Sequence, residues 1–424
     1  MLTQAKKFPV EIRALILLAS DIADSNDMSA YLVGGPVRDM ILGVKNLDLD
    51  IVIEGDGIAF AELFAAATGS RLIRHKRFGT ATVEVPRGRL KIDVSSARKE
   101  FYPEPAHLPV VSAGTLKDDL KRRDFTVNSM AISINKKNFG ELLDFFGGSD
   151  DLRKKKIRVL HDLSFIDDPT RILRAVRFEQ RYDFRLDKRT EKLLKQAIRL
   201  KMLDKVQPQR LRDELVLILK EGTAQKQLRR LGELSGFRFI DSGLSDLKIN
   251  HRALSSVPSE VAFFNKLLPR HRHLDIWLVY FMLLIDALSL EKSKAVCKKF
   301  AFRRGEEKRI LSFKKNYAAL VKRLSRDKVT PYGIFTLLEP LTYEVIICLL
   351  VNSGNRNLRG HIGVFLKKYH RLRIRISGDD LRDLGITPGP KYQEIFRKVL
   401  KYRLSSKVNT RAQELALAKK VAGV

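Results

Sequence analysis

The chain has 424 residues, 44% of them apolar and 30% charged, and its 80 Lys and Arg against 49 Asp and Glu leave a formal charge of +31. That balance excludes a disordered tail, a collagen-like fibre and a membrane bundle, while the length allows two to four domains at about 150 residues each. The basic excess implies a polyanionic partner, with a solvated surface tuned for solubility as the plainer alternative.

In chain order, Pro9 to Ala23 shows helical spacing, and Ala30 to Val33 reads as a strand running into Gly34-Gly35 and a second helix, Val37 to Leu42. Strand-like segments follow at Leu47 to Ile53, Thr80 to Val85 and Leu90 to Val94, with a helix at Ile58 to Ala67. After about Asp150 the strand signals fade and amphipathic helices dominate: Pro169 to Glu179, Pro208 to Lys220, Leu274 to Leu288, Glu306 to Lys322 and Lys391 to Tyr402. The expected fold class is therefore α+β, a small mixed sheet with helices and then an all-α remainder. The longest apolar run, Ile276 to Ile285, is half of the roughly 20 residues a spanning helix needs. Ala14 to Ala19 follows Glu11 and Arg13 and leads to no cleavage site, so no signal peptide is expected. Cys297 and Cys348 sit in apolar contexts and offer neither a disulfide framework nor a cysteine metal site. A cytoplasmic protein with no membrane partner follows.

Charge divides the chain as the elements do. Residues 1 to 100 carry 14 Lys and Arg against 13 acids, whereas residues 351 to 424 carry 17 against 5. Over residues 391 to 404 the apolar Tyr392, Ile395, Phe396, Val399 and Leu400 share one face, and Lys391, Arg397, Lys398, Lys401 and Arg403 lie largely elsewhere, free to track phosphates.

Chemistry concentrates near the N-terminal end. Alternation along Leu47 to Ile53 puts the Asp48 and Asp50 carboxylates on one face, about 7 Å apart, and Asp93 occupies a similar strand. Three carboxylates converging from neighbouring strands suit divalent cations and a two-metal phosphoryl or nucleotidyl transfer; taken alone, Asp-x-Asp equally suits a strand edge blunted by charge. Upstream, Gly34 and Gly35 at a strand-to-helix turn allow backbone amides to approach a triphosphate, with Arg38 at the same end. No Walker A motif and no EF-hand spacing occur.

Gly34-Gly35-x-Val-Arg-Asp39, Asp48-x-Asp50, Lys121-Arg-Arg-Asp-Phe-Thr-Val-Asn128, Asp144-x-x-Gly-Gly-x-x-Asp-Leu152 and Asp167-Asp-x-x-Arg171 with Leu-Arg-Ala-Val-Arg-Phe178 resemble, in order and spacing, the motifs of class II tRNA nucleotidyltransferases and the related poly(A) polymerases. The resemblance spans about residues 28 to 220, and Ser377 to Pro390 resembles the family's tail. It implies a nucleotidyltransferase head of the DNA polymerase β type at 1–155, a helical neck with the base-reading motif at 156–225, a helical body at 226–365 and a basic tRNA-binding tail at 366–424.

It also implies roles. Asp48 and Asp50 bind Mg²⁺ as the cofactor, and Asp93 helps activate the RNA 3′-hydroxyl. Gly34, Gly35, Arg38, Arg123, Asp124, Asn128, Arg174 and Arg177 serve nucleotide binding, with a local ion pair as the plainer reading of Arg123 and Asp124. Asp168 and Arg171, one helical turn apart, offer an acceptor beside a donor fork. Cytosine and adenine present an amino donor beside a ring-nitrogen acceptor, which such a pair accepts, while uracil and guanine present the reverse. Asp167-Asp168 before Pro169 would also make a helix cap, and the family usually has Glu where Asp167 stands. Arg210 and Glu214 are assigned support. His161-Asp162 lacks the companions of an HD phosphohydrolase, and His271 and His273 are taken as a surface pair.

The implied partners are tRNA, ATP and CTP. Ala97 to Pro109 with Glu54-Gly-Asp-Gly57 is most similar to the A-adding branch and to longer proteins whose extra N-terminal domains this chain is expected to lack. Adding only A would imply a separate CC-adding enzyme. A poly(A) polymerase and a catalytically silent RNA-binding protein are the alternatives, the latter opposed by the intact Asp48, Asp50, Asp93, Asp168 and Arg171.

Overall fold

The computed structural model describes residue 8 and residues 10–44, 47–86, 90–246 and 249–423. The chain divides into two compact units, Met1–Ser235 and Gly236–Val424.

In the first unit, helix α1 (Val10–Ser25) leads to β1 (Ser29–Val33), α2 (Gly35–Ile41), β2 (Leu49–Glu54) and α3 (Gly57–Thr68). The predicted helix start at Pro9 lies outside the described residues. Strands β3 (Arg71–His75), β4 (Thr80–Val85) and β5 (Leu90–Ser96) follow, then a separate hairpin of β6 (Arg98–Phe101) and β7 (Val110–Ala113), α4 (Leu116–Lys121), β8 (Ala131–Ser133) and β9 (Leu142–Leu143). Seven strands form one sheet in the order β3-β4-β5-β2-β1-β8-β9. It is mixed: β2 and β5 run parallel, the other pairs antiparallel.

Burial explains the layering. Leu49, Ile51 and Ile53 are buried on one face of β2, and Phe60, Ala61, Phe64 and Ala65 of α3 are buried with them. The opposite face of β2 carries Asp50, Val52 and Glu54 in alternation. Val52 packs with Val33, Ala97, Leu116, Leu120 and Ala131, so α4 covers that face at its middle. Glu54 closes one end by accepting the Leu116 amide at 2.6 Å. Asp50 lies two residues the other way from Val52 and reaches an open cleft.

Past α5 (Gly148–Arg153) the unit becomes helical: α6 (Ser164–Asp167), α7 (Thr170–Arg181), α8 (Lys188–Arg199), α9 (Pro208–Lys220) and α10 (Ala224–Ser235). One departure from the expected all-α remainder is a short parallel pair, β10 (Lys156–Ile157) with β11 (Arg185–Leu186). Two-residue strands carry no readable alternation.

The second unit is helical. The helix Ile276–Leu284 is shorter than the predicted Leu274 to Leu288, and Trp277 through Leu284 are all buried. Its partner Tyr343–Ser353 is buried from Glu344 to Leu350. Cys297 and Cys348 are buried free thiols. Residues 376–422 form their own core of Ile376, Leu381, Ile386, Ile395, Val399, Ala418 and Ala422. Ile395 and Val399 lie on the predicted apolar face, with Lys391, Arg397, Lys398 and Lys401 exposed on the remainder. No single helix among the described residues is long and apolar enough to cross a membrane.

Candidate active site

Within the first unit an open cleft of about 790 Å³ is lined by Gly35, Arg38, Asp48, Asp50, Asp93, Arg123, Asp124, Asn128, Asp168, Arg171 and Arg174, all of them singled out from the sequence. The parallel register of β2 and β5 sets Asp50 directly beside Asp93, and Asp48 stands exposed just ahead of β2. Asp93 Oδ1 accepts the Thr82 hydroxyl at 2.7 Å. Burial pushes the Asp50 carboxyl up to about 6, Arg123 opposes the rise, and Asp93 and Asp48 add to it.

Among the described residues no three Asp, Glu, His or Cys side chains form a group that could hold a metal ion as they stand. Asp48, Asp50 and Asp93 nonetheless line one cleft, with the Asp93 carboxylate held by the Thr82 hydroxyl. The donor chemistry fits a hard divalent cation, because the ligands are oxygens and the Asp50 anion is opposed by both acidic neighbours.

Gly34 adopts φ +74°, where side chains are strained, and a Cβ there would lie 2.5 Å from Arg123 Nη1. The glycine thus lets a guanidinium lie against the β1–α2 turn. Arg38 is buried, contrary to a freely presented charge. It donates to Asp39 Oδ1 from Nε at 2.8 Å and to Asn128 Oδ1 from Nη1 at 2.5 Å, and it faces the Tyr182 ring at 4.7 Å. The Tyr182 hydroxyl donates to the same Asp39 oxygen at 3.0 Å.

Arg122 and Arg123, at the end of α4, share the fully buried Asp119: Arg122 Nη2 donates at 2.7 Å and Arg123 Nη2 at 3.2 Å. Arg123 Nε is buried with no protein partner. Asp124 accepts from Arg174 at 2.8 and 2.6 Å and from Asn128 at 2.9 Å. Burial alone would raise its pKa, but Arg174 and Asn128 outweigh burial and the carboxyl falls below its ordinary value. The predicted local pair of Arg123 with Asp124 is not among these contacts; each has another partner. Arg177 does not line the cleft; it is 9% exposed, beside the Phe178 ring, with Nη2 3.8 Å from Glu214 Oε2. It lies one turn along α7 from Arg174 and shares Glu214 with it, while Arg174 reaches Asp124 as well.

Asp168 and Arg171 face the same cleft; the Arg171 amide donates to the Asp168 carbonyl at 3.1 Å, while their side chains take other partners. Asp168 Oδ1 accepts the Thr170 amide at 3.2 Å, the Thr170 hydroxyl at 2.7 Å and Arg210 Nη2 at 2.9 Å. The N-cap of α7 is Pro169, which makes no side-chain cap; Asp168 instead ties Thr170 through one oxygen, and its other oxygen takes no part in these contacts. Arg171 donates from Nη1 to Ser164 Oγ and from Nη2 to the Arg122 carbonyl, both at 2.7 Å. A guanidinium has five N–H groups, so donors remain. Asp167 lies apart, its carboxylate 3.9 Å from His161 Nδ1.

Sequence reasoning missed several lining residues: Arg98, Glu100, Tyr102 and Arg122 among them, and Arg210 was given only a supporting place. Arg122 lies inside a recognised motif, but nothing in the spacing distinguishes it from Arg123. Arg98, Glu100 and Tyr102 alternate within the Ala97 to Pro109 segment that carries the A-adding resemblance, and that alternation was the available signal.

Two family models match in order: "Poly A polymerase head domain" over residues 30–158, and "Probable RNA and SrmB- binding site of polymerase A" over residues 183–244. An A-adding tRNA nucleotidyltransferase of Geobacter sulfurreducens is 37% identical over 406 residues, 95% of this chain but 46% of the relative's length. The chain therefore spans about half of that longer protein. An A-adding tRNA nucleotidyltransferase of Halalkalibacterium halodurans is 33% identical over 90% of this chain and 86% of its own. The Thermotoga maritima CCA-adding enzyme, solved in complex with tRNA, superposes with a TM-score of 0.78 at 33% identity, covering 98% of this chain and 97% of that one. The mixed sheet and its helices are a head of the DNA polymerase β type. Similarity of this extent in sequence and in fold shows that the chain belongs to the class II tRNA nucleotidyltransferase and poly(A) polymerase family.

Proposed function

We propose that the protein is a template-independent tRNA nucleotidyltransferase that adds A, or C, C and A in turn, to the tRNA 3′ end from ATP and CTP and releases pyrophosphate. One observation carries the reading: the carboxylates Asp50 and Asp93, side by side in the β2–β5 register, open into the same cleft as Asp168 and Arg171. Acid groups suited to nucleotidyl transfer and polar groups suited to a base edge thus line one volume.

Asp48 and Asp50 would hold Mg²⁺, which when bound supplies charge neutralisation at the reacting phosphate. Asp93, with Oδ1 held by Thr82, takes the proton of the RNA 3′-hydroxyl on its other oxygen as that hydroxyl attacks the α-phosphorus. Arg123, whose buried Nε lacks a partner, meets the departing pyrophosphate with the Gly34-Gly35 backbone. Arg38, Asp124, Asn128 and Arg174 form the ionic frame of the nucleotide pocket, and Arg177 braces it through Glu214. Asp168 accepts the amino group of C or A while Arg171 donates to the ring nitrogen, so selection needs no template. Presenting the wrong base leaves buried polar groups unpaired, which discriminates strongly.

The division into head (1–155), neck (156–225), body (226–365) and tail (366–424) is part of this proposal, supported by the confinement of the sheet to the first segment and the separate core of residues 376–422. The substrates place the work in the cytoplasm. The test is incorporation of labelled ATP and CTP, separately and together, on tRNA transcripts ending at the discriminator base, after the first C and after the second. ATP addition confined to the last transcript identifies an A-adding enzyme with a separate CC-adding partner. Addition of C, C and A to the shortest identifies one sufficient alone. Long A tracts identify a poly(A) polymerase, and no incorporation on any transcript overturns the reading.

A further inference from the structure

Glu100 lies on β6, in the segment Ala97 to Pro109 to which no residue role was assigned from the sequence, and its side chain is only 7% exposed. Its Oε1 accepts from three directions: Arg98 Nε at 3.2 Å, Arg98 Nη2 at 2.9 Å and Arg122 Nη1 at 2.9 Å. Its Oε2 accepts the Tyr102 hydroxyl at 3.0 Å. Arg122 is gripped from its other side by Asp119, through Nε at 2.9 Å and Nη2 at 2.7 Å. With every nitrogen of its guanidinium bonded to a buried carboxylate, Arg122 has a fixed place, and its backbone carbonyl is the acceptor for Arg171 Nη2 at 2.7 Å. Arg98 is tied in turn to the Phe78 carbonyl at 2.9 Å.

A continuous chain of charge-assisted contacts thus runs from the β6–β7 hairpin through Glu100 and Arg122 to the guanidinium proposed to read the base. We propose that Glu100 is a positioning residue for nucleotide selection: it fixes Arg122, whose carbonyl sets the angle of the Arg171 fork. The proposal rests on the base-reading role of Arg171. Among the described residues Glu100 is the carboxylate shared by Arg98 and Arg122, so removing its charge loosens both guanidiniums, leaves Arg122 on Asp119 alone, and costs Arg171 the rigidity of its acceptor. Asp50 is linked to this chain of bonds only at one remove, through Asp119, which Arg122 shares with Arg123, so selection is affected more than the chemical step. Misplacing a group by about 1 Å costs up to about a hundredfold where geometry decides the outcome.

The test compares Glu100→Gln, Tyr102→Phe and Arg171→Lys for kcat and KM with ATP, CTP and UTP on one tRNA substrate, with a melting temperature for each. For Glu100→Gln the expected result is a rise in ATP and CTP KM of about tenfold, a comparable loss of discrimination against UTP, and kcat within about threefold of wild type. Tyr102→Phe, which removes one contact and no charge, shifts the same ratios by a smaller factor. Unchanged discrimination in Glu100→Gln, with discrimination lost in Arg171→Lys, overturns the positioning role and leaves base reading standing. Unchanged discrimination in Arg171→Lys overturns base reading itself, and this inference with it. If Glu100→Gln does not fold, Tyr102→Phe decides, and unaltered KM values and discrimination in that variant overturn the proposal.

Discussion

At the scale of single residues the site trades stability for chemistry. Asp50 is an acid whose folded pKa is raised, so between its unfolded value of about 3.9 and its folded value of about 6 the folded state binds the extra proton. Stability is favoured below that window and lost as pH rises through it. Asp50→Asn in the presence of a chelator is therefore expected to melt higher than wild type at pH 7.5, by about 2 °C or more, and to lose the pH dependence between 4 and 6. A variant that melts lower would contradict the cost of burying this carboxylate. Asp48→Ala is expected to abolish incorporation and leave tRNA binding largely intact; undiminished nucleotide addition would remove Asp48 from the metal role. The paired glycines separate cleanly. Gly34→Ala must relieve both φ +74° and a 2.5 Å approach to Arg123, whereas at Gly35 the nearest atom, Arg38 Nη2, is 3.6 Å away. Gly34→Ala should cost about 1–2 kcal/mol and raise the nucleotide KM, and Gly35→Ala should do little in the melt. The residues legible in the sequence were those inside ordered motifs. Glu100 carried no assigned role and Arg210 only support, because a resemblance in a segment does not show which partner folding brings to each of its side chains.

At the scale of elements, legibility followed pattern. Thr80–Val85 and Pro208–Lys220 emerge with the boundaries their alternation and helical spacing predict. Arg71–His75 was invisible because three of its five residues are basic and it pairs with β4 alone, as an edge of the sheet. The β6–β7 hairpin stands apart from the main sheet, with Phe101 68% exposed, so it has no apolar face to announce it. In the second unit one helix junction rests on a buried charge. Glu344, at the start of Tyr343–Ser353, is fully buried and accepts from Arg272 at 2.8 and 2.6 Å and from the Asp275 amide at 3.2 Å. Burial opposes its ionisation, but Arg272 and the backbone donors outweigh burial and hold the pKa below its ordinary value. The resulting stability is complete above the unfolded pKa of about 4.3 and is lost as pH falls through the lower folded value. Glu344→Gln should cost about 2 kcal/mol at pH 7, moderated because Arg272 is half in solvent, and the gap to wild type should narrow below about pH 4. Parallel melting curves for the two proteins at acid and neutral pH decide it; a gap that stays constant would deny the pair its role.

At the scale of the whole molecule the charge is unevenly shared. Residues 236–424 hold 37 Lys and Arg against 16 acids, while residues 1–235 hold 43 against 33 and spend many of them in the ionic frame of the cleft. If the surplus of the second unit grips RNA phosphates, tRNA binding must fall steeply with salt, because each neutralised phosphate releases counterions. The dependence then appears in the KM for tRNA, by about a thousandfold between 50 and 200 mM salt if some half-dozen phosphates are engaged, and only weakly in kcat at saturating tRNA. The helix Pro390–Leu404 offers a local version of the same test. Ile395 and Val399 anchor it inward, and Lys398 and Lys401 are exposed on its outer side. Lys398→Glu with Lys401→Glu leaves that packing untouched, so the melting temperature should hold while tRNA affinity falls about tenfold and the salt slope becomes shallower. Surface charge kept only for solubility predicts the opposite: unchanged affinity and an unchanged slope. The KM for ATP separates the two further. ATP is proposed to bind the cleft of the first unit, so reversing charge on the tail should leave its KM alone, and a parallel rise would mean that the reversal had disturbed the cleft instead of an RNA grip.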